Sequence, residues 1–467
     1  MGKGTDKPLN HNFINEYRAF LEKHLFSLLG LNGCTLKENI TEQDPDTAYV
    51  VQRDNCIFFS ASKWKIFEVP YPKGISKDSL RLANRIIQSF FQISEFKRTG
   101  SGKNSAFFSD LQKRAVYNMA IQKGICSWVA GDSNSKIELL FSILEKWAIK
   151  TYEGRSVTFG FVINPNETAT PQSSQIDWLN FLEDDFSAVL TDCIHSVIEL
   201  DKNCNFLRYL SISENNTFPS YTLSNRVPLR FSHVIQRYIP YIDGSIQENK
   251  VGVFLLNNGD IILVKNGATC FVKRNLQWLN LSYEAFENAL KDFIQENNIS
   301  TTLIENVYAS VLDVSFSHLG GIISIANTAG INSIIGQIGN DPILDPCDDL
   351  LNGKTDEELL GLSKKDKDIN KRIIKRSILL SLTNKKNFLE LDRKLRCELI
   401  ALDGACILDC SGNVRAFGAI IKYESGSTGG GRGAAAKKLS SYGTAIKIST
   451  DGYIELYING ELEYAIK

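Results

Sequence analysis

Histidine is scarce in this chain of 467 residues: it occurs five times, at His11, His24, His195, His233 and His318, and residues 319–467 have none. Chemistry carried by that last stretch must run on carboxylates, hydroxyls, arginine, lysine or a metal, with imidazole excluded as base or ligand. The ten cysteines form no CxxC pair, which argues against a zinc site and fits buried thiols in a reducing cytosol. No apolar run approaches the roughly 18–20 residues that cross a bilayer. The opening "MGKGTDKPLNHNF" also lacks the apolar core of a secretory signal. A cytoplasmic chain with no membrane partner is the expectation. Charge bias is missing too: 52 basic side chains stand against 53 acidic ones, a net charge of -1. Without a basic excess there is no electrostatic footprint for nucleic acid.

What is present reads as a soluble α/β protein of two or three domains, given the length and a hydrophobic content of 43%. Apolar periodicity in "FINEYRAFLEKHLFSLLG" (13–30) predicts a helix that stops at Gly30. "AYVVQRD", "CIFFSA" and "SVTFGFVIN" predict strands, and "SLRLANRIIQSFFQISEF" a helix. "KRTGSGKNS" (97–105) predicts a polar loop, whose GSGK lacks the preceding glycine of a phosphate loop. "IDWLNFLEDDFSAVLTD" predicts one helix, with Glu183, Asp184 and Asp185 a solvated face because adjacent residues point to different sides. Two Asn-Gly turns within 251–274 predict a β-meander. The expected division is an α+β regulatory region at 1–215, a meander-containing regulatory subdomain at 216–298 and a third domain at 299–467. No paired catalytic constellation occurs in the first two.

The third domain begins with helical "LIENVYASVLDVSFSH" and the strand "IISIA" after Gly320 and Gly321. A charged insert follows at 341–376, acidic and then basic, which reads as a solvated surface segment. Strands "GACILD" and "VRAFGAIIKY" lead to "GSTGGGRGAAAKK" (426–438), then helical "AAAKKLSSY" and strands "TAIKIS" and "YIELYI". The glycine stretch is not read as a linker, because residues 439–467 are dense in strand formers and too few to fold alone. A phosphate loop needs glycine before its lysine, and Ala436 precedes Lys437. A dinucleotide fingerprint is matched by Gly431-Arg432-Gly433-Ala434-Ala435-Ala436, but that motif opens a domain of several further βα units. What remains is a backbone of small residues that phosphate oxygens can approach, with Arg432 adding a charge-assisted contact and Ala434 to Ala436 starting a helix. Ser427 and Thr428 add hydroxyls, and Lys437 and Lys438 fall at the expected helix start.

Asp403-Gly404-Ala405, followed about thirty residues later by Gly430-Gly431-Arg432-Gly433-Ala434-Ala435-Ala436 and then by Ile448-Ser449-Thr450-Asp451-Gly452, resembles the diadenylate cyclase domain. That domain carries Asp-Gly-Ala, Gly-Thr-Arg-His-Arg-Ala-Ala and Val-Ser-Glu-Glu in this order, and "SHLGGIISIA" is similar to its Gly-Ala-Leu strand. The likeness covers about residues 300–467. It implies a mixed sheet flanked by helices and ATP as substrate, with a homodimer or higher homo-oligomer whose facing sites make cyclic di-AMP and pyrophosphate. It implies Mg²⁺ or Mn²⁺ held by Asp403, and Arg432 as the second catalytic residue. Nucleotide binding would fall to Gly404, Ala405, Thr428, Gly429, Gly430, Gly431, Gly433 and Ser449. The departures are Gly431, Gly433 and Ala434 in place of Thr, His and Arg, and Thr450-Asp451 in place of Glu-Glu. Backbone N–H groups and Lys437 or Lys438 would then have to compensate, or the domain binds a nucleotide without turning it over, as a sensor or scaffold. The small size of the loop residues favours turnover.

Overall fold

The structure, a computed structural model, describes residues 11–211, 250–334 and 386–466 together with Ser377, Ser381 and Thr383. Within those spans it omits 32–33, 43–48, 54, 62–63, 72–76, 101–109, 131–134, 171–177, 183, 194–195, 266–267, 282 and 423–429. The charged insert at 341–376 and the expected boundary at 215/216 therefore lie outside the described residues. The chain divides into two compact units, and the described part of the first ends at Leu281.

In the first unit, α1 (His11–Phe20) runs through a π-turn at Leu21–Leu25 into α2 (Phe26–Leu29). Gly30 closes it with φ 71°, the left-handed conformation that glycine adopts without penalty. Four short strands follow: β1 (Lys37–Glu42), β2 (Val50–Arg53), β3 (Cys56–Ala61) and β4 (Trp64–Pro70), in sheet order β1-β4-β3-β2. Helices α3 (Lys77–Gly100), α4 (Asp110–Ala130) and α5 (Ser135–Ala148) come next. Tyr17, Phe20, Phe67 and Phe90 form an aromatic knot, with Phe20 stacked on Phe90 at 4.4 Å. The polar loop expected from residue 97 starts later, since α3 continues to Gly100.

A small hairpin, β5 (Thr151–Tyr152) with β6 (Arg155–Ser156), leads into β7 (Phe159–Asn164). The single helix expected over 176–192 is broken. Its first part is α6 (Trp178–Leu182), Asp184 is extended at ψ 133°, and a 3₁₀ turn covers Asp185–Val189. The Ser187 hydroxyl reaches the carbonyls of Leu182 (3.1 Å) and Asp184 (2.6 Å), and these side-chain bonds compete with helix continuation. Asp184 is exposed, as expected of a solvated acidic face.

Strands β8 (Ser196–Asp201), β9 (Phe206–Ser211), β10 (Val251–Leu255), β11 (Ile261–Lys265), β12 (Ala268–Arg274) and β13 (Gln277–Asn280) complete a seven-stranded sheet, ordered β13-β12-β11-β10-β7-β8-β9. The meander β10–β13 exists, with Gly259 at φ 85° in its first turn. It is not a subdomain of its own, because β10 pairs with β7 from Val251↔Ile163 to Leu255↔Phe159 and shares that strand's core. Buried Arg274 clamps Asp260 with both carboxylate oxygens engaged, Nη2 lying 2.5 Å from Oδ2. Removing the negative partner leaves the guanidinium buried and unbalanced. Asp260→Asn is expected to cost the first unit about 3–5 kcal/mol, read as a lower urea midpoint at unchanged slope.

The second unit opens with α7 (Tyr283–Ala289), α8 (Lys291–Glu296) and α9 (Thr301–Phe316), the last capped by Ser300. Then come β14 (Gly321–Ala326), α10 (Thr328–Ile334), α11 (Arg393–Ala401), β15 (Ala405–Asp409) and β16 (Val414–Ala419). It closes with α12 (Gly430–Ser440), β17 (Gly443–Ile448), β18 (Ile454–Ile458) and β19 (Glu461–Ile466). The sheet order is β16-β15-β14-β17-β18-β19, with β14 and β15 parallel and the other pairs antiparallel. This is the mixed sheet flanked by helices that the resemblance implies. Ile322, Ala405, Ile407 and Ala445 face α10 and α12. The alternate residues Ile323, Ile325, Leu408 and Ile446 are buried on the opposite face, which α9 and α11 cover. Arg396–Asn306 and Arg393–Asp313 contacts tie α11 to α9.

Candidate functional site

Strand register gathers the three motifs at one edge of the second sheet. Ile323 lies opposite Cys406 in the parallel β14–β15 pair, so Gly320 and Asp403 both precede their strands at the same end of the pair. Gly321 lies opposite Ile448 in the antiparallel β14–β17 pair, so Ser449 comes next to them at the end of β17. The chain enters β15 directly from α11, whose C-cap is Leu402. Asp403 is exposed and has no hydrogen-bond or ion-pair partner among the described residues. Gly404 beside it has φ 105°, and a β-carbon there would lie 2.5 Å from the Gly418 carbonyl carbon and 2.7 Å from the Ala419 nitrogen. Only glycine fits that position, which holds Asp403 at the rim. Ala405 is buried in the sheet core and supports the site from below.

The described part of the glycine stretch, from Gly430 onward, lies beside Gly320. Helix α12 begins at Gly430, four residues before the expected start at Ala434. Gly430 takes φ 74°, and Gly430 and Gly431 are exposed, so the first-turn N–H groups come from the glycine-rich segment itself. Arg432 folds onto Gly320, where a β-carbon would lie 2.8 Å from Cζ of the guanidinium. Gly320 is thus a site residue that sequence reasoning passed over; its signal was a second glycine ahead of a strand that needs only one. Thr428 and Gly429 lie outside the described residues.

Two readings of this stretch need correction. Ala434, Ala435 and Ala436 do not line an approach for phosphate, since all three are buried, Ala435 and Ala436 packing with Leu439 against Ile322, Ala405 and Ala445. Their small size serves helix–sheet packing, which removes the argument that small loop residues favour turnover. Lys437 and Lys438 lie in the last turn of α12, where the dipole favours cations, and the Lys437 side chain approaches Gly460 at the far end of the sheet. They cannot stand in for missing phosphate contacts.

Ser449 shapes a turn. Its hydroxyl accepts from the Tyr453 N–H at 3.1 Å and its carbonyl from the Gly452 N–H at 2.9 Å. Among the described residues the hydroxyl proton meets no acceptor. Thr450 and Asp451 are exposed on the same turn. Asp409, at the other end of β15, accepts from the N–H groups of Ser411 and Asn413 and is a turn former as expected. Cys406 is a buried strand residue with its thiol pushed up by burial, and Cys410, half-buried, is raised to about 11 by burial and then by Asp409. Among the described residues no group of three or more His, Cys, Asp or Glu could hold a metal ion. Nor is any described helix long and apolar enough to cross a membrane.

A polar cluster lies beside α12. Lys447 faces Glu455 across the β17–β18 pair, and its Nζ donates to Glu455 Oε2 at 2.8 Å. The Tyr457 hydroxyl donates to the same oxygen at 2.9 Å. Burial first, and then the Glu455 carboxylate, push the Tyr457 phenol up to about 12. A raised phenol stabilises the fold below the ordinary value of 10.0, and that contribution is lost as pH rises from there through about 12. Phenolate absorbance should show one tyrosine titrating late, and Glu455→Gln should bring it back toward the ordinary value.

No family model matches the chain, and no curated protein matches its sequence. Among solved structures, a double-cysteine variant of DacA from Staphylococcus aureus is 15% identical, with 35% of this chain and 86% of that chain covered at a TM-score of 0.22. A hypothetical membrane spanning protein from Bacillus cereus is also 15% identical, with 40% of this chain and 76% of that chain covered at a TM-score of 0.24. At such scores neither likeness bears on the site, whose reading rests on its own residues.

Proposed function

We propose that the second unit binds ATP and condenses two molecules into cyclic di-AMP and two pyrophosphates, with facing sites in a homodimer or higher homo-oligomer and the first unit as regulator. The observation that carries this reading is the convergence of Asp403, Arg432 on Gly320, the α12 N-terminus and Ser449 at one sheet edge. The first-turn N–H groups and the Arg432 guanidinium hold phosphate oxygens. Asp403, with no partner among the described residues, accepts the proton of a ribose 3′-hydroxyl. That oxygen attacks the α-phosphorus held on the facing protomer, the α–β bridging P–O bond breaks and pyrophosphate leaves; a second such transfer closes the ring. The donor set fits a divalent ion carried in by ATP, because Asp403 offers one carboxylate and the triphosphate supplies other oxygens. Bound there, Mg²⁺ or Mn²⁺ would neutralise charge on the phosphates.

A second reading, binding without turnover as a sensor or scaffold, is favoured by one observation: with Gly433 and the buried Ala434, positions 433 and 434 send no polar side chain toward a phosphate. Purified protein incubated with ATP and Mg²⁺ or Mn²⁺, followed by mass spectrometry, separates the two. Cyclic di-AMP is expected. Its absence with both metals while ATP still binds would establish the sensor. Asp403→Asn is expected to reduce product at least about a hundredfold, in the range of a lost general base. Arg432→Ala should weaken ATP about tenfold or more, the range of a lost charge-assisted contact, and unchanged affinity would remove Arg432 from the site.

A further inference from the structure

Gly433 and Ala434 leave the helix side of the site short of cationic side chains, and Lys437 and Lys438 point to the wrong end of α12. Another cation stands close by. A β-carbon at Gly433 would lie 3.9 Å from Lys447 Nζ, and outside its own helix backbone and chain neighbours no other atom of the described residues comes within 4 Å of that point. Gly433 is buried, and the Lys447 ammonium lies beside it at the first turn of α12.

The ammonium is held in place. Lys447 and Glu455 are direct cross-strand partners, and the Glu455 oxygen that accepts from Nζ also accepts from Tyr457. One of three N–H donors is used in this way, which leaves two for a ligand. A cation beside a helix N-terminus is unfavourable by itself, and Arg432 adds a second positive group to the same first turn. Glu455 offsets part of that charge. An anion entering past Gly433 would offset the rest.

We propose that Lys447, positioned by Glu455 and Tyr457, contacts the phosphates of the nucleotide across the side-chain-free Gly433. The inference rests on the nucleotide reading above and adds a residue to it, one position before the Ile448–Gly452 motif on β17.

Calorimetry on the full chain with ATP and with adenosine, both in Mg²⁺, tests it. Lys447→Met should weaken ATP about tenfold or more, the range of a charged hydrogen bond, and leave adenosine unchanged. Lys447→Arg should keep ATP affinity within about threefold. Because Lys447→Met strands the Glu455 carboxylate, Gly433→Leu provides a variant that leaves the ion pair intact. Leucine is a better helix former than glycine but enters a buried position, so thermal stability is read alongside, and ATP should weaken as in Lys447→Met in the folded variant. Unchanged ATP affinity in Gly433→Leu, or equal losses for ATP and adenosine in Lys447→Met, would overturn the role of Lys447. Failure of the unaltered protein to bind ATP would instead overturn the nucleotide reading itself.

Discussion

The second unit depends on β14 pairing in opposite senses on its two sides. Parallel pairing with β15 aligns the starts of two strands, and antiparallel pairing with β17 brings a strand end to the same edge. Gly320, Asp403 and Ser449 are distant in sequence and become neighbours through that arrangement alone. A slip of one residue in either pair would turn the side chains of the slipped strand to the wrong face and bury polar groups against α12 or α9. The interior resists such a slip, because Ile322, Ala405, Ile407 and Ala445 are matched to the alanine face of α12.

Elements with strong local signals were legible in the sequence. Gly30 ends its helix as a left-handed cap, and the Asn459-Gly460 turn joins β18 to β19, with both residues at positive φ. Strand identities in the meander and in the closing hairpins follow from β-branched content. What was not legible depends on tertiary contact. Glycine is a poor helix former, so a start at Gly430 contradicts local propensity. The start is explained by the packing of Ala435, Ala436 and Leu439, which fixes the helix axis and carries its first turn along. That same shift moves Lys437 and Lys438 from the first turn to the last and reverses their electrostatic meaning. The break at Asp184 came from one hydroxyl, and the merging of the meander with β7 from an edge pairing that no local pattern encodes.

Of the candidate site, Asp403, Gly404, Ala405, Arg432 and Ser449 were readable as motif positions; the register brings the strand residues to one end of the sheet, and Arg432 meets them through Gly320. Gly320 and Lys447 were not. A glycine before a strand and a lysine within one are ordinary features. Their meaning appears when Arg432 lies on the first and Gly433 lies beside the second. The alanines show the reverse case, a motif feature whose explanation turned out to be packing.

The first turn of α12 has a mechanical consequence. Glycine costs a helix roughly 1 kcal/mol per residue relative to alanine, and Gly430, Gly431 and Gly433 occupy that turn together. The other end is anchored, with Leu439 in the core and the Ser440 hydroxyl accepting from the Gly460 N–H at 3.0 Å. The helix is therefore clamped at its C-terminus and held weakly at its N-terminus, a stability gradient that points toward the rim. Order gained in that turn on anion binding would stiffen the contact that Arg432 shares with Gly320. Occupancy at the rim would thereby register in the backbone of the sheet's central strand.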